Sequence, residues 1–450
     1  METKIFVVAS GIALVAGLIF FLGFYPGYFE EDCFFQYSQA VSGTYNDWHP
    51  VWDTLLVFTL PMKLTGGWTG SIVLFQIVCF SLLFGYMADT FYIFAGTTFT
   101  RIVMTLLLFC LFTLRILMYP WKDNAFSMAS CASMLFTAHI YLTEGKWCRK
   151  SYRLILLAFM LTCSALFRHN GILFSFFLLI ALIPVMQRNM WLLTASSTVL
   201  MILLIRFPLY SHLTVESPDT RILETTGLPL SIIVSTAYKC PEKLDEQTKH
   251  FVNEMLNKQS DWESHYHMSG FNSIKSRGVN NDAIERAGID GIIRMTFRCF
   301  AKAPWQSIMA FVRVTIPVYG FEIPCDIDMD IIDNEFGIGY HGIKAIKRTA
   351  EFYAFLFSKT PLRVFFNCIG TTILVMLAFI LFKTNFKYWE DLKRLFLCVP
   401  ILAYDFGTML LLTGHDVRFF FVNFLVCPVV VLLMGSSKDK LPSEEKPGKP

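Results

Sequence analysis

Several signatures of familiar chemistry are missing from this chain. Its 12 cysteines form no CxxC pair and no Cys/His cluster with zinc spacing. Most sit inside apolar runs, as Cys79, Cys110, Cys131 and Cys163 do, and read as small hydrophobes. No Gly-rich phosphate loop and no Walker motif occurs. Charge is scarce: 16% of the 450 residues are Asp, Glu, Lys or Arg, against about 25% in a soluble domain. The net charge of +3 carries no nucleic-acid signature. These absences exclude a zinc module, a nucleotide-loop enzyme and a nucleic-acid binder.

What is abundant is apolar. Hydrophobic residues make up 54% of the chain, with 45 Phe and a mean hydropathy of +0.51. A helical crossing needs about 20 mostly apolar residues. Candidate spans cover 5–24, 69–90, 101–119, 124–143, 153–167, 171–187, 190–207, 362–382, 395–413 and 418–434. The expected fold class is therefore an all-α polytopic membrane protein with about ten crossings. The first run is long and lacks an AxA-type cleavage site, so a retained anchor is expected rather than a signal peptide. The apolar piece 51–64 is too short to cross and reads as an interfacial helix.

Basic residues orient the spans. Lys146, Arg149, Lys150 and Arg153 follow the fourth span, Arg188 lies in the turn after the sixth, and Lys383, Lys387, Lys393 and Arg394 follow the eighth. With both termini cytoplasmic, all fall on one side. The division expected is an N-terminal transmembrane module 1–207 with a catalytic first external loop 25–68. An external, membrane-hugging domain 208–360, C-terminal helices 361–435 and a disordered cytoplasmic tail 436–450 complete it.

That orientation gathers the polar clusters on the opposite face. EED (30–32) opens the first loop, WHP (48–50) follows, and WKDN (121–124), RHNG (168–171) and GHDVR (414–418) join later spans. Glu30 and Glu31 read as a solvated loop start. Asp32 precedes the apolar run Cys33-Phe34-Phe35, which holds it near the bilayer, where partial burial favours a carboxylate acting as a base. Asp123 is either a helix cap or a second acid facing the site. Lys122, Arg168 and Arg418 place three cations at membrane depth on the outside, where charge is a functional signal. Together they suit a phosphate anion.

Two weaker patterns lie in 208–360. Asp326, Asp328 and Asp330 imitate the start of a calcium loop, but Ile331 stands where that loop needs glycine. His265 and His267 are too few for a metal site.

YPGYFEED, WHP, KDN, RHNG and DVRFFF, in this order and on one face, resemble the GT-C superfamily of membrane glycosyltransferases, and more narrowly a bacterial branch of it. The resemblance implies a GT-C-like fold with interfacial helices in the first external loop. It implies transfer of a sugar from a polyprenyl-phosphate carrier to a glycan or lipid-linked acceptor, in the bacterial cell membrane, on the non-cytoplasmic face. Asp32 and Asp123 would be catalytic. Lys122, Arg168, His169, Asn170, Arg418 and His49 would bind phosphate or substrate, with Glu31, His415 and Asp416 in secondary positions. No cofactor is fixed by these motifs, and a divalent cation is left open. A transporter or flippase, or a polymerase or ligase of lipid-linked glycans, is the alternative. A transporter predicts internally repeated halves, and none is visible.

Overall fold

The structure is a computed structural model that describes residues 3–109, 115–218, 221–257, 261–266, 270–275, 277–320, 331–361, 364, 368–414 and 417–436. The described residues are helical, with one isolated β-bridge pairing Asn46 and Glu216. Five helices are long and apolar enough to cross a membrane: Lys4–Phe24, Gly70–Ala95, Lys122–Leu142, Arg188–His212 and Arg418–Gly435. Four shorter apolar helices, Thr97–Leu108, Ser151–Phe167, Gly171–Leu182 and Ile369–Lys383, fall on further expected spans. The chain is therefore an α-helical membrane protein by length and composition. The helix Thr97–Phe109 covers the first part of the expected 101–119 span, and residues 110–114 lie outside the described set.

Lys122–Leu142 is the central helix, buried nearly all round. Its neighbours are Ser151–Phe167 and the helix Val422–Gly435. Thr3–Phe24 and Arg188–Leu204 instead lie at the periphery and show Val8, Val15, Leu192 and Val199 to their surroundings. Such faces suit lipid, which solvates leucine and valine as well as a protein interior does. Hydroxyls inside the central helix return to their own backbone, as Ser133 Oγ does to Ala129 O (2.9 Å) and Thr137 Oγ1 to Ser133 O (2.9 Å). These two hydroxyls are thereby satisfied in an apolar medium.

The first loop supplies two helical pieces, as expected. Glu31–Ser42 ends on Gly43, whose φ of 74° is the left-handed geometry that stops a helix. Val51–Asp53 runs through a π-helical turn, Thr54–Thr59, into Leu60–Leu64. Farther along, Gly227–Lys239 packs on Asn281–Lys302 and Pro304–Tyr319, and Lys344–Lys359 packs on the first helix. The chain before Lys344 returns to the first loop. His341 N donates to Tyr25 O (3.0 Å), Ile343 N donates to Leu22 O (2.8 Å), and Phe336 stacks on Phe34.

Candidate functional site

Five helix ends meet at one end of the bundle. Glu31–Ser42, Lys122–Leu142 and Gly171–Leu182 begin there, Ser151–Phe167 ends there, and the 3-10 turn Val417–Phe420 leads into the last helix. Gly171 makes the approach possible, because a Cβ at that position would strike the Ser164 carbonyl and the Phe126 ring.

Arg418 is the centre of the cluster. Its Nη1 donates to Glu30 Oε1 (2.7 Å) and its Nη2 to Asp32 Oδ2 (2.7 Å). The guanidinium lies over the Trp121 ring, and Trp121 Nε1 also donates to Glu30 Oε1 (2.5 Å). Glu30 is thus held by two donors, which corrects its reading as a solvated loop residue. Glu31 does point outward.

Lys122 and His49 close the other side. Lys122 Nζ sits 2.5 Å from His49 Nδ1, and His49 Nε2 sits 3.7 Å from Asp32 Oδ1. Burial and the neighbouring Lys122 keep the imidazole well below its usual pKa, outweighing Asp32, so it is neutral. With Nδ1 accepting from the ammonium, the ring proton belongs on Nε2, facing the carboxylate. Asp32, a third of its side chain exposed, is pulled two ways. Burial would raise its carboxyl, but Arg418, Lys122 and His49 hold it well below the usual range. In this arrangement Asp32 is ionised and weakly basic.

Arg168 and Asp123 form a second, deeper pair. Both are buried, at 7% and 1% exposure. Neither Asp123 carboxylate oxygen makes a hydrogen bond to the helix backbone, so the pair with Arg168 stands in place of the cap that the sequence allowed. Arg168 Nε also donates to Asn170 Oδ1 (3.1 Å), its guanidinium covers Phe419, and Asn170 Nδ2 donates to Thr408 Oγ1 (2.6 Å). His169 turns outward and meets the Trp48 carbonyl at 3.2 Å.

Seven of the expected site residues, Asp32, His49, Lys122, Asp123, Arg168, Asn170 and Arg418, therefore converge, with His169 at the rim. His415 and Asp416 lie outside the described residues, as do His267 and the calcium-like acids Asp326, Asp328 and Asp330. His265 bonds Asp261 (2.9 Å), away from this cluster in the contacts it makes. Among the described residues no group of three or more His, Cys, Asp or Glu is placed to hold a metal ion.

Sequence reasoning missed Asp53 and Gln36. Asp53 is fully buried and takes a hydrogen bond from Gln36 Nε2 (2.8 Å), which also reaches Thr54 Oγ1 (3.1 Å). Burial pushes the Asp53 carboxyl up to about 7, against the Gln36 bond and the fields of Lys122 and Arg168. Two signals pointed to the pair. Gln36 stands one helical turn after Asp32, and Asp53 is a lone acid in the apolar run VWDTLL.

Chemically, the arrangement offers three cations matched by Glu30, Asp32 and Asp123, a neutral imidazole, and an apolar bundle behind them. Comparison with protein-family models, with curated proteins and with solved structures finds no match to this chain.

Proposed function

We propose that this chain is an integral membrane glycosyltransferase that moves a sugar from a polyprenyl-phosphate carrier to a glycan or lipid-linked acceptor. The observation that carries the reading is Arg418 gripping Glu30 and Asp32 at the end of an apolar helical bundle, beside Lys122 and His49. Guanidinium groups bind phosphate oxygens through paired hydrogen bonds, and an apolar bundle suits a lipid tail. The GT-C-like likeness, a cell-membrane location and a site on the non-cytoplasmic face belong to the same proposal.

The donor phosphate competes with the two carboxylates for Arg418. As it takes the guanidinium, Asp32 loses the strongest of the cations that depress its pKa and regains basicity. Asp32 then accepts the proton of the acceptor hydroxyl. The oxygen bonds to the anomeric carbon of the donor sugar, and the bond from that carbon to the phosphate oxygen breaks. Its electron pair leaves with the polyprenyl phosphate, whose charge Arg418 and Lys122 neutralise, the kind of electrostatic stabilisation that dominates many enzymes. Arg168, tied to Asp123, holds the RHNG turn and Asn170 in place behind them.

The test is transfer by membranes containing the protein, supplied with a panel of radiolabelled polyprenyl-phosphate sugars. Label appearing in a new glycosidic product supports the reading. No loss of label from any donor, by transfer or by hydrolysis, overturns it.

A further inference from the structure

A second concavity begins two residues before His49. Asp47 Oδ2 takes a hydrogen bond from Arg206 Nη1 (2.6 Å), while Asp47 Oδ1 has no partner among the described residues. With Tyr210, Ser211, Thr214 and Glu216 these two line a cavity of about 790 Å³. Ser211, Thr214 and Glu216 are exposed, so the cavity opens to the outside. Its size falls in the range of roughly 300–1,000 Å³ that small-molecule sites occupy.

The concavity is built rather than accidental. Its rim is tied to the first loop by the Asn46–Glu216 bridge, in which Asp47 N donates to Glu216 O (2.9 Å) and Glu216 N to Tyr45 O (3.0 Å). Thr214 is left-handed, with φ 50°, a geometry that β-branched residues rarely adopt and that surrounding bonds must enforce. The Val215 N to Tyr210 O bond (3.1 Å) does so. A π-helical turn, Ile205–Leu209, carries Arg206 toward Asp47 and over the Tyr210 ring. Such turns recur at functional sites.

The lining chemistry selects an occupant. Hydroxyls, carboxylates and a guanidinium can exchange hydrogen bonds with a polyhydroxylated molecule. Two carboxylates, Asp47 and Glu216, face one guanidinium, so the wall is net negative and disfavours anions. The Arg418 cluster differs, because its three cations match its three acids in number. The two places are also neighbours. Between Asp47 and His49 stands Trp48, stacked on the His49 ring (6.0 Å between centroids), and His49 faces Asp32.

We propose that this cavity holds the acceptor end of the reaction, a neutral, hydroxyl-rich saccharide, with Asp47 and Arg206 binding its hydroxyls and Trp48 marking the passage to Asp32. The word acceptor rests on the glycosyl-transfer reading; the saccharide site does not.

Alkylation protection tests it without requiring turnover. Ser211→Cys places a thiol in the lining of the full-length protein in detergent, and its alkylation by a maleimide is followed by mass spectrometry. Neutral hexose and N-acetylhexosamine oligosaccharides at millimolar concentration should slow the labelling at least several-fold, and matched uronic-acid oligosaccharides should not. Arg206→Lys and Asp47→Asn, made in the same background, should each abolish that protection. The inference is overturned if no neutral oligosaccharide protects, if the acidic ones protect equally, or if both variants keep full protection. Protection without sugar transfer would leave the saccharide site standing and remove the glycosyltransferase reading. Transfer without protection would do the opposite.

Discussion

Arg418 Nη2 lies 2.7 Å from Asp32 Oδ2, although 386 residues separate the two along the chain. The contact joins the entry of the last apolar helix to the start of the first juxtamembrane helix. It also sets the charge state of the site, because the residue best placed to accept a proton is held ionised by the residue best placed to hold a phosphate.

If Asp32 is the proton acceptor, Asp32→Asn keeps the shape and much of the hydrogen bonding but cannot take a proton. Transfer should fall by at least about 10²-fold, the lower range for acid–base catalysis, with membrane insertion intact. Glu31→Gln, at an outward-facing position, should have a mild effect. Turnover of the two variants at matched expression decides the point. A dead Glu31→Gln beside an active Asp32→Asn would move the base by one residue.

The buried Arg168–Asp123 pair is expected to behave as structure. Removing either partner leaves an uncompensated buried charge, which costs about 3–5 kcal/mol. Asp123→Ala and Arg168→Ala should each lower the melting temperature in detergent strongly. The double variant should lose much less than the sum, since contacting groups are not additive. Additive losses would mean that the two residues act separately, as the sequence alone had them.

Asp53 supplies a pH test. Burial raises its folded-state carboxyl to about 7, above the roughly 3.9 of an unfolded chain. The folded protein therefore binds that proton more tightly. Its contribution to stability is fully present below about pH 4 and is lost as the pH rises to about 7. His49 runs the other way, since its folded pKa is lowered, so the wild-type curve alone cannot isolate Asp53. Asp53→Asn can: its stability relative to wild type should improve by about 2–4 kcal/mol between pH 4 and pH 7.5. Thermal unfolding at the two pH values measures this. A difference that stays flat would show that Asp53 is ionised throughout.

The membrane orientation is tested by labelling. A thiol at Ser264, exposed in the long segment after the seventh apolar run, should react with an impermeant reagent in sealed cells. One at Ser151, exposed beside Lys150, should not. The reverse pattern would put the Arg418 cluster on the cytoplasmic side and remove the carrier-lipid reading.

Much of this was legible because bilayers impose simple rules. Apolar length gave the helices, and lysines and arginines elsewhere separated the two faces before any site residue was considered. Convergence of Lys122, Arg168 and Arg418 followed from that separation. The pairing did not. Nothing in local pattern says that Arg418 chooses Glu30 and Asp32 while Arg168 chooses Asp123; that depends on which helix ends pack together. Asp53 was hidden by its apolar neighbours, which make it costly and made it look incidental.

The sharpest test returns to Arg418 and Asp32. In the proposed reaction the donor phosphate and the Asp32 carboxylate compete for one guanidinium, so their removal should move donor affinity in opposite directions. Arg418→Ala loses charged hydrogen bonds to the phosphate, worth about 1.5–3 kcal/mol, and should weaken donor binding by roughly 10- to 150-fold. Arg418→Lys should recover only part, because an ammonium cannot present the paired donors of a guanidinium. Asp32→Asn removes the competitor and a like charge, so donor binding should hold or tighten even as transfer collapses. A polyprenyl-phosphate analogue and binding calorimetry on the three purified variants read this directly. A pair that merely braces two helices would weaken binding in all three, and that result would take Arg418 out of the donor site.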